Sequence, residues 1–489
     1  MIRDDVDSIR LGSYPVLQLI KNPAFKWLFK DLIRHVNKKR RLELLIEKYI
    51  GENGKKMSIR NYFYYFIIIV VIRIAEVISK SKENNLKASL KVRHIRILFI
   101  RSLALIYESI EEFGLPKKML RWKSPFAVVW EISHKCNLKC KHCSAATRRI
   151  DERELNTDEA KRVIDQLAEA GVCLLLFSGG EPLLREDFFE LCSHAVDKGL
   201  AIGLASNGTL ITKEIAKRLK KIGFYSIQIS LDGATAETHD SFRSVPGSFD
   251  KAIEGIKNCI EQEIEISVAP TITNSNCEEL EEIIYLAKRI GAVGVNIYNF
   301  IPTGNGKLNS ECDVGFEKRQ IYLNLMHKIK EEMAGKIRIS SATTMEGFRV
   351  LIENEGKSLV KVLEFFGGCP AGRAYCAIEP NGDIYPCVFM PIAVGNLRSH
   401  SLNDIWHESG VLKELRDREL LKGGCAKCDV KYACGGCRSM AYAYYNDYLE
   451  SDPTCPYNKG SECGFQHSVC TSKRDISICQ RQRFGKGKH

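Results

Sequence analysis

The sequence predicts an α/β protein: an open, partial barrel of six parallel strands, preceded by a basic helical arm and followed by a cysteine-rich domain. Three observations carry this. From residue 126 the chain alternates strand-like and helix-like segments, the pattern of repeated βα units on a parallel sheet. Residues 1–125 contain no cysteine and hold 26 Lys+Arg against 12 Asp+Glu, whereas the remainder holds 46 against 48. Of the 19 cysteines, 11 crowd between Cys369 and Cys479.

The length of 489 residues allows several domains, at roughly 150 residues each. Hydrophobic content of 45% and charged content of 27% suit a globular chain with a large core. The text divides into an arm (1–125), an alternating core (126–333), a bridge (334–365), a cysteine-rich domain (366–460) and a basic tail with three cysteines (461–489). A disulfide-stapled secreted protein would be small and evenly bridged. The N-terminus carries Asp4, Asp5 and Asp7 and no early apolar core of a secretory signal. A cytoplasmic protein with metal-bound thiolates is therefore expected.

In the arm, the apolar run 62–72 has 11 residues, short of the ~20 that span a bilayer. The stretch 88–107 interleaves Lys91, Arg93, Arg96 and Arg101 with aliphatic residues. Such a helix can lie on an anionic membrane, here the inner face, or cap the barrel with a solvated basic face. The basic residues alternate with aliphatic bulk rather than with stacking aromatics, so nucleic acid is not an expected partner.

Strands are expected at 126–132, 172–177, 201–205, 225–231, 265–269 and 294–300. Helices are expected at 157–170, 186–198, 213–222, 248–262, 277–290 and 316–333. Thr157-Asp158-Glu159 puts acids in a first helical turn. Six strands rather than eight leave the barrel open, and ligand chemistry in barrels gathers at the C-terminal ends of the strands.

The motifs fall at those ends. Cys136, Cys140 and Cys143 follow the first strand on one short loop. Three thiolates there can hold three irons of a 4Fe-4S cube and leave the fourth iron open. Zinc favours four protein ligands, commonly in paired C-x2-C knuckles, so the lone trio suits a cube better. Gly179-Gly180-Glu181-Pro182 follows the second strand; its glycines permit close backbone approach, and Glu181 can accept from an ammonium group. Ser206-Asn207-Gly208-Thr209 ends the third strand and Ser230-Leu231-Asp232-Gly233 the fourth, offering short polar groups. Arg243 follows, and Pro302-Thr303-Gly304 comes after the sixth strand. Cys173, Cys192, Cys259 and Cys277 sit in strand or helix patterns and are expected in the core. Cys312 lies in a loop.

Farther on, Cys369, Cys376 and Cys387 surround a hairpin turn at Asn381-Gly382-Asp383. Cys425-x2-Cys428-x5-Cys434-x2-Cys437 and then Cys455 complete eight thiols, enough for two further cubes. By themselves the paired knuckles also suit zinc. Cys463, Cys470 and Cys479 are either spare thiols or a further site.

Over residues 126–460 these motifs together resemble the radical SAM superfamily, and the C-terminal cysteines resemble its SPASM extension. The resemblance implies a partial (β/α)6 TIM-like barrel. It implies a 4Fe-4S cluster on Cys136, Cys140 and Cys143 whose open iron is chelated by S-adenosylmethionine (SAM), with His142 at the ring-bearing position. Gly179, Gly180, Glu181 and Pro182 would receive the SAM amino group, Ser206, Asn207 and Ser230 would contact SAM, and Arg243 would lie near its carboxylate. The 302–304 turn would lie on the adenine side. Two auxiliary 4Fe-4S clusters are implied, one on Cys369, Cys376, Cys387 and Cys437 and one on Cys425, Cys428, Cys434 and Cys455. The family's commonest spacing puts three residues, not two, between the cysteines of the last pair. The implied activity is reductive cleavage of SAM to a 5′-deoxyadenosyl radical, which abstracts hydrogen from an unactivated C–H bond. A ferredoxin or flavodoxin would donate the electron. The text from Cys434 to Ala443, with Asp452-Pro453 before Cys455, looks most like members that tailor tetrapyrroles or other hydrophobic substrates. Peptide maturation is the alternative. A non-catalytic iron–sulfur or zinc protein is a third reading, and the Glu181 motif argues against it.

Overall fold

The computed structural model describes residues 30–31, 35–36, 39–50, 92–145, 153–341 and 357–455. The apolar run 62–72 and the tail cysteines Cys463, Cys470 and Cys479 lie outside the described residues.

Helix α1 (Arg93–Phe113) holds most of the basic stretch of the arm. It packs on the base of the barrel. Ile100, Ala104, Leu105 and Ile110 are buried, and the Arg101 guanidinium donates to the carbonyls of Val172 (2.7 Å), Ala168 (2.8 Å) and Gly199 (3.3 Å). Arg96 is buried as well. Of the two readings of this stretch, its described part is the barrel cap. Among the described residues no helix is long and apolar enough to cross a membrane.

Each expected strand forms: β1 (Ala127–Glu131), β2 (Leu174–Ser178), β3 (Ala201–Ser206), β4 (Ser226–Ile229), β5 (Ile266–Val268) and β6 (Gly294–Asn299). They pair in chain order and all in parallel. Period-two alternation divides β1: Val128 and Trp130 are fully buried, while Val129 and Glu131 face the cavity inside the barrel. Between β1 and β2, α2 (Thr157–Ala170) buries Ala160, Val163, Ile164 and Leu167, one stripe at helical spacing. The Asn156 side chain caps α2 and forms a reciprocal capping box with Glu159. Truncating Leu167, which is 0% exposed, would cost about 2–5 kcal/mol.

Four further strands extend this sheet. β7 (Arg338–Ser341) pairs in parallel with β6, inside the segment expected to be only a bridge. β8 (Tyr375–Ile378) pairs in parallel with β1 on the opposite edge, and β9 (Asp383–Tyr385) and β10 (Gly395–Asn396) follow antiparallel. The strand order is β7-β6-β5-β4-β3-β2-β1-β8-β9-β10. The two ends of this order are not paired, so the barrel is open. The cysteine-rich domain thus begins as a continuation of the barrel sheet.

Candidate active site

The loop 132–145 after β1 brings Cys136, Cys140 and Cys143 to the mouth of the barrel, and every neighbouring loop grips it. Gly180 N–H donates to Ser133 O and Glu181 N–H to Lys135 O, each at 2.8 Å. A Cβ on Gly180 would lie 2.3 Å from Lys135 O, so only glycine allows this approach. Asn207 Nδ2 donates to Asn137 Oδ1 (2.9 Å). Lys139 and Lys141 N–H donate to the carbonyls of Arg243 (3.3 Å) and Phe242 (3.0 Å). From the far side, Asn305 N–H donates to Cys143 O (2.9 Å) and Asn309 Nδ2 to Lys141 O (3.2 Å). Gly304, at φ +58°, lies so close that a Cβ would meet Ser144 O at 2.3 Å. The 302–304 turn, expected to face adenine, therefore packs against the backbone of the cysteine loop. Each such hydrogen bond contributes only about 0.5–1.5 kcal/mol net, but together they hold an irregular loop in one shape.

Arg243 supplies the charge. Its Nη1 lies 3.6 Å from Cys140 Sγ, and its Nε donates to Asp232 Oδ2 at 2.6 Å, with both side chains buried. Burial pushes the Cys140 thiol up to about 11, and Arg243 pulls against it. Metal ligation needs the thiolate, so a positive partner at this sulfur suits a cluster ligand. His142 stacks on Phe242 with ring centroids 4.4 Å apart and planes at 11°. Burial, then Arg243, lowers its pKa to about 3, so the ring is neutral at physiological pH. Its Nδ1 is buried with no partner, a polar atom that a ligand in the cavity can satisfy. Among the described residues no three His, Cys, Asp or Glu side chains gather tightly enough to hold one metal ion. A cube requires no such gathering, because each iron takes a single thiolate.

These groups line one cavity of about 1140 Å³, together with Gly179, Gly180, Ser206, Asn207 and Ser230. Its opposite wall carries Cys369, Cys387 and Cys437. Ordinary ligand pockets span about 300–1,000 Å³, so the space suits more than one sizeable molecule.

Three of the expected residues stand outside the cavity lining. Glu181, expected to receive the SAM amine, is fully buried behind the wall. Its carboxylate accepts from Ser206 Oγ (2.9 Å), Asn207 N–H (2.9 Å) and Leu183 N–H (3.2 Å), so it holds the cavity-lining turn of Ser206 and Asn207 in place. Pro182 is buried in the short 3-10 turn Pro182–Leu184 and is not part of the cavity lining. Cys376 faces away from the cavity. It stands in register with Val128, whereas its neighbours Tyr375 and Ala377 stand opposite Ala127 and Val129. Tyr375 and Val129 line the cavity, and Cys376, fully buried, packs in the core on the other face.

Among the remaining C-terminal thiols, Cys369, Cys387, Cys434 and Cys437 share one packed cluster, where Cys369 N–H donates to Cys434 O at 2.9 Å. Cys437 neighbours Cys369 and Cys387. Cys425 neighbours Cys428, and Cys434 neighbours Cys425 and Cys455. Cys173, Cys192, Cys259 and Cys277 are buried in the core, and Cys312 is half-buried.

Sequence reading missed the polar seam between the barrel and the C-terminal domain. His134 Nε2 lies 3.2 Å from Glu379 Oε2, and Glu154 Oε1 accepts from Ser133 Oγ and His134 N–H at 3.0 Å. No spacing signals a pair 245 residues apart. Asn305 and Asn309 were missed too, although they directly follow the 302–304 turn.

A parallel barrel with three thiolates at its mouth and more across the cavity defines an iron–sulfur enzyme of the SAM-cleaving class. The family model of the radical SAM superfamily matches residues 130–287, and the SPASM model, an iron-sulfur cluster-binding domain, matches residues 369–429. The AdoMet-dependent heme synthase of Methanosarcina barkeri is 36% identical over 347 residues, covering 69% of this chain and 98% of that protein. The mycofactocin maturase MftC of Mycolicibacterium smegmatis is 33% identical over 342 residues, covering 68% and 83%. The crystal structure of Streptococcus suis SuiB bound to S-adenosylmethionine superposes with a TM-score of 0.59 at 16% identity, covering 81% of this chain and 89% of that one; it shows a shared fold. The chain belongs to the radical SAM superfamily and carries a C-terminal SPASM domain. It is an enzyme that works with SAM and 4Fe-4S clusters.

Proposed function

We propose that this enzyme tailors a tetrapyrrole, or a cofactor of similar size and hydrophobicity, by abstracting hydrogen from an unactivated C–H bond. The carrying observation is the cavity of about 1140 Å³ that runs from the Cys136–Cys143 loop to Cys369, Cys387 and Cys437. Similarity to a heme synthase over 98% of that protein's length supports it. When bound, the reduced cluster and SAM supply a 5′-deoxyadenosyl radical. The chain's own residues place and protect: Cys136, Cys140 and Cys143 hold the core cluster, and Ser206, Asn207 and Ser230 offer polar contacts to SAM. Leu138, Leu176, Ile301 and Phe389 line the cavity with apolar surface that displaces water. A small one-electron carrier such as a ferredoxin or flavodoxin is the proposed reductant.

The test is anaerobic incubation with SAM, a reductant and a panel of carboxylate-bearing iron porphyrins, read by mass spectrometry. A porphyrin losing mass in step with 5′-deoxyadenosine formation is the expected result. Unchanged porphyrins beside a modified peptide would replace this proposal with peptide maturation, the second reading, which the similarity to a mycofactocin maturase favours.

We also propose that the arm attaches the enzyme reversibly to anionic membranes at the cytoplasmic face. Support comes from the part of the arm before α1, residues 1–91, with 19 Lys+Arg against 9 Asp+Glu and the 11-residue apolar run, since apolar burial and headgroup attraction add at an interface. Full-length protein should sediment with anionic vesicles at low salt and be released at high salt. A chain starting at Val92, which keeps the α1 cap, should stay in the supernatant. Full-length protein left in the supernatant at low salt removes the proposal.

A further inference from the structure

We propose that Arg373, Arg418 and Arg438, sealed inside the C-terminal domain, are the counter-charges of the auxiliary clusters and raise their reduction potentials. They are 3%, 2% and 1% exposed. A buried charge is costly unless it is paired, and the bonds these guanidiniums make are not to carboxylates. Arg418 Nη2 donates to Cys369 O (3.0 Å). Arg438 donates to the carbonyls of Gly436, Tyr448 and Glu450 and to Cys425 Sγ at 3.6 Å. Arg373 Nε and Nη1 and Arg418 Nε have no partner at all. The buried carboxylate beside these thiols, Asp452, accepts from Cys437 N–H and from Thr454 N–H and Oγ; it is one anion facing three cations.

Placement distributes the cations over these thiols. A Cβ on Gly367, two residues before Cys369, would meet Arg373 Cζ at 2.5 Å; one on Gly435, beside Cys434, would meet Arg418 Cζ at 2.5 Å; and Arg438 reaches Cys425 Sγ. Burial, then Arg418, pulls Arg373 down to about 9, which still leaves it protonated at neutral pH. The core cluster has a different setting, since Arg243 beside Cys140 is matched by Asp232. A thiolate-ligated cube is net negative and gains another charge on reduction. Fixed cations in excess of the fixed anion stabilise the reduced form more and raise the potential. The auxiliary clusters are thereby biased to accept an electron and the core cluster to give one. The inference rests on the cluster reading above.

A purely structural role is open to Arg418 and Arg438, which clamp backbone carbonyls. Arg373 makes no such bond, so it is the cleaner probe. The experiment is an EPR-monitored redox titration of reconstituted wild-type, Arg373→Met and Arg373→Lys enzyme, each with its iron counted. Arg373→Met is expected to lower the reduced-to-oxidised ratio of an auxiliary cluster at least about tenfold at fixed potential, or 59 mV for a one-electron couple. Arg373→Lys should hold the wild-type ratio. Loss of iron in Arg373→Met but not in Arg373→Lys also supports the proposal, because the difference is charge. An unshifted potential in Arg373→Met at full iron overturns it, as does equal iron loss in both variants. Wild-type protein short of about 12 iron would instead fail the cluster reading itself.

Discussion

Replacing Cys140 by alanine will reduce SAM cleavage to background. Cys140 is the most buried thiol of the trio and the one in contact with Arg243. The loop around it is held by Ser133, Lys135, Asn137 and Lys141, so it cannot easily slide another donor into place. On the proposed cluster assignment Cys136 and Cys143 serve irons of their own. The measurement is 5′-deoxyadenosine formation with dithionite as reductant; yield above background would refute the core assignment. Glu181→Ala separates holding SAM from holding the cluster. It leaves Ser206 Oγ and Asn207 N–H without their acceptor, at about 1–3 kcal/mol of lost order in the cavity-lining turn. The cluster absorption should persist while SAM affinity falls roughly five- to hundredfold on that estimate. An intact affinity would show that the turn stands without Glu181.

Iron content distinguishes the thiols. Anaerobically reconstituted enzyme should hold about 12 iron and 12 sulfide in three cubes. Cys376→Ala should leave that count unchanged, because the side chain points into the core with Val128 rather than toward Cys369 and Cys387. Its cost should be a modest loss of stability, on the order of 1 kcal/mol. Cys437→Ala, at the cavity wall, should bring the count down to about eight. Loss of about four iron in Cys376→Ala would restore it as a ligand. Stoichiometric zinc beside only about four iron would overturn the auxiliary clusters and spare the core one.

Local sequence was sufficient for what depends on neighbours along the chain. The six core strands and their helices follow from hydrophobic period and caps, and α2 spans the expected Thr157–Ala170. The cysteine trio was legible because a cluster loop needs its thiolates within a few residues of each other. Tertiary structure decided what depends on register and on distant pairing. Whether Cys376 is a ligand turns on one residue of strand register against β1, since side chains alternate faces. Whether Glu181 touches SAM or braces Ser206 and Asn207 depends on how β2 and β3 align. β7 was invisible in its short, half-exposed segment, because its reason to be a strand is the open edge of β6. The buried arginines carry no sequence signal either. Arg373, Arg418 and Arg438 read as ordinary charges until folding removes water and leaves the thiols as their counter-charge.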